Sequence, residues 1–182
     1  MRPMRLAADF PGVQFFEVDL PEMLAERRRV CRELVNDYEE LRFEVPADFK
    51  TDDPGELLAN HPDYDPSVPT AIIYEGCSMY FSDAENRRTV GSMRQLMNHP
   101  DSVLWADFVS EEVASGQVSH EGIRQFLDGM TEMGESFRFG MDDPTTWARS
   151  IGFPFTDVTG SSEILGQQSP VYDQYRFAEF RR

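Results

Sequence analysis

The stretch FFEVDLPEML, Phe15 to Leu24, runs as an alternating aromatic segment, closes on two acids and passes directly into a proline-led segment. Val13 to Val18 reads as a strand. Pro21 then suits the first turn of a helix, where its missing N–H would have no partner anyway and its fixed φ is already helical. Leu20, Met23, Leu24, Cys31, Leu34, Val35 and Tyr38 recur on one face of that helix. A strand that ends on an acid and feeds an amphipathic helix is one βα unit, and the chain downstream repeats the pattern.

Leu41, Phe43 and Val45 alternate with charged neighbours, as in a strand near a sheet edge. A polar, proline-rich segment from Asp48 to Pro69 follows, with a short helix predicted around Glu56 to Asn60. TAIIY, Thr70 to Tyr74, is an apolar run of the kind buried on both faces of a parallel sheet. Ser82 and Glu85 carry the spacing of a capping box, and Val90, Met93 and Met97 give the helix behind it a buried stripe. Ser102 to Val109 is a further strand, ending near Asp107. Ile123, Phe126, Leu127, Met130 and Met133 mark another amphipathic helix, and Asp143-Pro144 starts one more. Phe153 to Val158 and Tyr172 to Phe180 read as two strands joined without a helix, a closing antiparallel hairpin. The expectation is an α/β, doubly wound, Rossmann-like sheet with helices on both faces, in one domain spanning residues 1–182.

A chain of 182 residues is long enough to bury roughly 70% of the surface its unfolded form exposes. Seventeen basic against thirty-three acidic side chains leave a net charge of −16, which disfavours nucleic acid as a partner. Arg27, Arg28 and Arg29 read as a solvated helix face, with Glu26/Arg29 and Arg29/Glu33 able to pair along the helix. No apolar run approaches the length of a membrane span and no signal-peptide core follows the basic start, so a soluble cytoplasmic protein is expected. Cys31 and Cys77 are too few for a disulfide framework or a zinc site, and His61, His99 and His120 show no metal-ligand spacing.

In doubly wound sheets ligands bind at the carboxyl ends of strands. Three acids stand there: Asp19, Asp48 and Glu75. A carboxylate at such an end can accept hydrogen bonds from both hydroxyls of a ribose, although each of the three could equally serve as a turn residue or helix cap. Where a ribose acid closes the second strand, a glycine-rich turn is expected about 20 residues earlier, which here falls before Met1. A first strand and its loop are therefore expected to be absent from this chain.

FFEVDLPEMLAERRRV, followed by VPADF and AIIYEGCSMYF, resembles the leucine carboxyl methyltransferase-like family of S-adenosylmethionine-dependent methyltransferases. DDPTTWARSIGF and QYRFAEFRR are similar to its closing elements, and Arg2 to Leu6 to the segment that follows its G-x-G-x-D turn. The resemblance implies S-adenosyl-L-methionine as cofactor, with Asp19 on the ribose, Asp48 and Phe49 on the adenine, and Glu75 near the methionine portion or the reacting centre. It implies methyl transfer to a carboxylate or hydroxyl oxygen of a small-molecule or carboxylate-bearing acceptor, with residues 110–142 as a helical insertion at the acceptor site. A non-catalytic, partner-binding remnant of the same fold, and a nicotinamide-dependent enzyme, are the competing readings.

Overall fold

The computed structural model describes Leu6, residues 9–34 and residues 42–182. Val35, Tyr38 and Leu41, expected in a helix and a strand, lie outside the described residues, as do Arg2–Arg5. The chain forms two compact units, Met1–His61 and Pro62–Arg182.

In the first unit β1 (Phe15–Asp19) and β2 (Arg42–Pro46) pair in parallel, Phe15 opposite Arg42 and Asp19 opposite Pro46. Phe16 and Phe43 stack at 5.0 Å between ring centroids, and His61 meets each edge-on at 5.2 Å. Helix α1 (Pro21–Leu34) buries Leu24 and Cys31, whereas Met23 is 48% exposed. The inward positions are Leu24, Arg27, Arg28 and Cys31, spaced i, i+3, i+4 and i+7, so the face turned to the strands carries two arginines. This corrects the expected solvated face. Only Arg29 behaves as predicted, pairing with Glu26 at 2.7 Å on the exposed side.

Those arginines meet acids on one face of the strand pair. Arg27 lies 2.9 Å from Asp19 and 3.6 Å from Glu17, and Arg28 lies 2.6 Å from Glu44. Arg42, its side chain 3% exposed, pairs with both Glu17 and Glu44. Burial holds the Arg42 guanidinium below its usual pKa, against the opposing pull of Glu44. A short helix α2 (Pro54–Ala59) completes this unit, capped by the Asp53 carboxylate, which accepts from the Glu56 N–H at 2.9 Å.

The second unit contains β3 (Ala71–Tyr74), α3 (Asp83–Met93), β4 (Val103–Val109), α4 (Glu111–Ala114), α5 (Glu121–Glu132), α6 (Pro144–Ser150), β5 (Phe155–Gly160), α7 (Ser161–Leu165) and β6 (Tyr175–Arg181). Its strand order is β3-β4-β6-β5, with β3 parallel to β4 and β6 antiparallel to both of its neighbours. The antiparallel hairpin is present, but its connection holds α7, which the sequence reading lacked. Ile164 and Leu165 are 58% and 57% exposed, so no buried stripe marks that helix in the sequence. Nor is β3 buried on both faces. Tyr74 is 2% exposed and Ile73 47%, because β3 is an edge strand, paired only with β4 among the described residues.

Leu104, Ala106, Phe108, Ala178 and Phe180 form the buried centre of β4 and β6, with Trp147 of α6 at 5.8 Å from Phe108 and 6.3 Å from Phe180. Both predicted helix starts are present. The Glu85 N–H donates to Ser82 Oγ at 3.3 Å while the Ser82 N–H donates to Glu85 Oε2 at 2.6 Å, and Asp143 accepts from the Thr146 N–H at 2.9 Å. Asp83 in turn accepts from Arg87 at 2.7 Å and from the Trp147 indole at 2.8 Å.

These acids make stability pH-dependent. Hydrogen bonds from Ser82 hold Glu85, and hydrogen bonds from Thr146 hold Asp143, below their ordinary values of 4.5 and 3.8. Burial pushes Asp83 upward, but the bonds from Arg87 and Trp147 outweigh it and lower its pKa below 3.8. Groups depressed in the fold bind protons more readily when unfolded, so their contribution is fully present above the unfolded values and is lost as pH falls through the folded ones. Thermal melts followed by tryptophan fluorescence are expected to give a midpoint that falls below about pH 4.5, and a midpoint unchanged down to about pH 3 would contradict this account.

Candidate active site

At the carboxyl end of β1, Asp19 has a side chain 33% exposed. Its Oδ1 accepts from the Leu20 N–H at 2.9 Å and its Oδ2 from Arg27 at 2.9 Å. An ionised carboxylate offers about four acceptor positions, so these bonds fix the group without exhausting it. The Ala47 N–H donates to the Asp19 carbonyl at 2.9 Å, continuing the β1/β2 ladder and bringing Asp48 and Phe49 out directly after β2. Asp48 sits in a tight turn, its Oδ1 accepting from the Lys50 N–H at 2.9 Å and its own N–H donating to Asp52 at 2.8 Å. Phe49 is half-buried beside it. The structure therefore places Asp19, Asp48 and Phe49 at adjacent strand ends of one unit, as the sequence reading required.

Glu75 is exposed and follows β3 without an intervening residue, in the second unit. Gly76 next to it adopts φ +66°, a left-handed conformation in which a Cβ would find open space but a strained backbone. Gly76→Ala is expected to cost about 1 kcal/mol in urea unfolding, and a neutral result would show that the turn relaxes without it. The Gly76 N–H is held by the Asp107 carboxylate, 2.9 Å from Oδ1 and 3.0 Å from Oδ2. Asp107 itself is fully buried and also accepts the hydroxyl of Tyr175, while the Ser78 hydroxyl donates to the Asp107 carbonyl at 2.5 Å. Burial, followed by the Asp107 contact, pushes the Tyr175 phenol upward and keeps it neutral.

A second layer backs the same turn. Asn86, fully buried, donates to the Ser78 carbonyl at 2.9 Å and accepts from the Tyr74 hydroxyl at 3.0 Å. Burial raises the Tyr74 pKa as well. Cys77, partly exposed, turns its Sγ back on the Glu75 carbonyl at 3.3 Å. Beyond β4, Val113, Val118 and Ile123 form a buried cluster with Met79 and Val109, against which Tyr80, Leu127, Phe137 and Tyr175 pack. Phe126 and Met133 of the predicted α5 stripe remain 55% and 69% exposed. Among the described residues no group of histidine, cysteine or acid side chains is arranged to hold a metal, and no helix is long and apolar enough to cross a membrane.

The sequence reading noticed Asp107 only as the end of a strand and Tyr175 only as part of the last one. Their partnership spans 68 residues, and no local spacing signals it.

Comparison with solved structures places this arrangement in a known fold. A Thermobifida fusca protein named as a methyltransferase superposes with a TM-score of 0.66 at 20% identity, over 97% of this chain and 65% of that one. Human N-acetylserotonin methyltransferase, solved with its S-adenosylmethionine, gives a TM-score of 0.54 at 11% identity over 98% and 43%. At such identities the likeness establishes the Rossmann-like methyltransferase fold. In sequence, a Mycobacterium tuberculosis protein named as an S-adenosyl-L-methionine-dependent methyltransferase is 26% identical over 158 residues, 85% of this chain and 51% of its own length. The chain thus spans about half the length of the curated relatives it matches. Residues 1–94, more than half of the 182, match the leucine carboxyl methyltransferase family, from FFEVD and Asp19 through the Glu75-Gly76 turn to the capped helix α3, and it is to that family that the chain belongs.

Proposed function

We propose that the protein is an S-adenosyl-L-methionine-dependent O-methyltransferase. The observation that carries the reading is the set of acids at successive strand ends, Asp19, Asp48 and Glu75, all within the residues that match the family. S-adenosyl-L-methionine, when bound, supplies a methyl group activated on its sulfonium. In the first unit Asp19 accepts from the ribose hydroxyls, while Asp48 and Phe49 hold the adenine by hydrogen bonding and ring contact. In the second, Glu75 serves the methionine portion or the reacting centre.

A carboxylate acceptor is already ionised near neutral pH, so the protein's task there is to align the attacking oxygen and exclude water. No general base is then required. The segment 110–142, with Tyr80 and Phe137 in edge contact at 5.4 Å, shapes the acceptor pocket. Both cysteines are free, which accords with a reducing cytoplasmic setting.

The deciding experiment is calorimetric titration of S-adenosylhomocysteine into the 182-residue chain and into a chain extended upstream to carry a G-x-G-x-D turn. Saturable binding to either, weakened by Asp19→Ala, supports the reading. Absence of binding to both overturns it in favour of a partner-binding protein on the same fold.

A further inference from the structure

The geometry points to Asp107 as a positioning residue that, clamped by Tyr175, holds the Glu75-Gly76 turn in its ligand-binding form. This rests on the assignment of Glu75 to the cofactor site. Asp107 lies on β4, and its carboxylate is fully buried at the level where the parallel strand β3 ends. Tyr74, the last residue of β3, is opposite Ala106, so the next step of the ladder would place Glu75 beside Asp107. The side chain intervenes there instead. Both of its oxygens lie within hydrogen-bond distance of the Gly76 N–H, and the chain turns away at φ +66°.

The remaining contacts show what keeps the carboxylate in place. Tyr175, first residue of β6, donates its hydroxyl to Asp107 Oδ2, and the Asp107 backbone carbonyl accepts from Ser78 two residues past the turn. The turn is thus tied at Gly76 and at Ser78 to a single residue of β4. Glu75, between strand end and clamp, is left exposed. A buried carboxylate is costly unless its hydrogen bonds are made. Here those bonds come from the Gly76 amide and the Tyr175 hydroxyl, so the group that satisfies the carboxylate at one end is the backbone of the turn itself. The arrangement makes Glu75 a rigidly mounted group whose direction is set from β4 and β6.

The test is a thermodynamic cycle on whichever chain binds the probe, the 182-residue one or the one extended upstream, with S-adenosylhomocysteine as probe and amide exchange as a separate structural readout. Asp107→Asn is expected to raise the Kd about tenfold and Tyr175→Phe about threefold, with exchange of the Gly76 amide accelerated in both. In a Glu75→Gln background, Asp107→Asn is expected to change the Kd by less than about twofold, because a residue that acts through Glu75 has nothing left to position. A full, additive tenfold loss in that background would show a merely structural role and overturn the proposal. So would a Gly76 amide whose protection is unchanged by Asp107→Asn and Tyr175→Phe. If Glu75→Gln alone leaves the affinity intact, the cofactor role of Glu75 is what fails, and with it the positioning role. If neither wild-type chain binds the probe, the functional reading fails, and amide exchange alone then decides whether Asp107 holds the turn.

Discussion

Arg42→Met is expected to destabilise the first unit by about 3 to 5 kcal/mol, the range for removing one partner of a buried ion pair. The reason lies in what stays behind. Glu17 is 8% exposed and Glu44 has a side chain 16% exposed, and both pair with the Arg42 guanidinium. Among the described residues Glu44 retains Arg28 at 2.6 Å, but Glu17 retains only Arg27 at 3.6 Å, already committed to Asp19. A carboxylate with so little water and so distant a cation must either take up a proton or drag solvent in. Replacing both Glu17 and Arg42 by methionine removes the stranded charge along with its partner, and is expected to recover most of the loss.

The choice of probe decides whether this can be seen. Both tryptophans, Trp105 and Trp147, belong to the second unit, so fluorescence does not report directly on the strands that carry Arg42. Far-ultraviolet circular dichroism through a urea titration does. A shift in midpoint at constant slope is the expected signature, and a single variant within about 1 kcal/mol of wild type would show that water reaches the Glu17 carboxylate.

What the sequence made legible was chemistry written at short range. The Ser82/Glu85 capping box, the Asp143-Pro144 helix start and the strand ends at Asp19, Asp48 and Glu75 each depend on residues within four positions of one another, and each is present. The α/β class followed from the same local periodicities, and the resemblance of FFEVDLPEMLAERRRV, VPADF and AIIYEGCSMYF supplied the family, which the match over residues 1–94 then showed. Failures arose where the partner was remote. Arg27 and Arg28 were read with Arg29 as a solvated face, although the spacing Leu24, Arg27, Arg28, Cys31 already put them on the buried stripe of the helix. Recognising them as inward-facing required knowing that the strands beneath present Glu17, Asp19 and Glu44. Ile73 was expected to be buried because an apolar run looks the same in a central strand and at an edge. The Asp107 clamp joins Gly76, 31 residues earlier, to Tyr175, 68 residues later, and only the folded sheet brings these together.

Asp19→Ala is expected to weaken S-adenosylhomocysteine binding by about 1 to 3 kcal/mol, roughly five- to 150-fold in Kd, the loss for a hydrogen-bonded charged partner. The carboxylate is already oriented before any ligand arrives, Oδ1 by the Leu20 N–H and Oδ2 by Arg27, each at 2.9 Å. Little ordering cost therefore remains on binding, and the removed group would have contributed nearly its full worth. The effect should also be cleanly separable from unfolding. The Asp19–Arg27 pair has side chains 33% and 27% exposed, and ion pairs so accessible to water contribute little to stability. The variant is thus expected to melt close to wild type while binding poorly. Asp19→Asn retains one acceptor oxygen for a ribose hydroxyl and should fall between the two. Arg27→Met tests the orientation alone, because it leaves the carboxylate charged but held on one side only; a several-fold loss is expected. Should Asp19→Ala bind as tightly as wild type, Asp19 is only the cap of α1, and the ribose must be held from elsewhere in the protein.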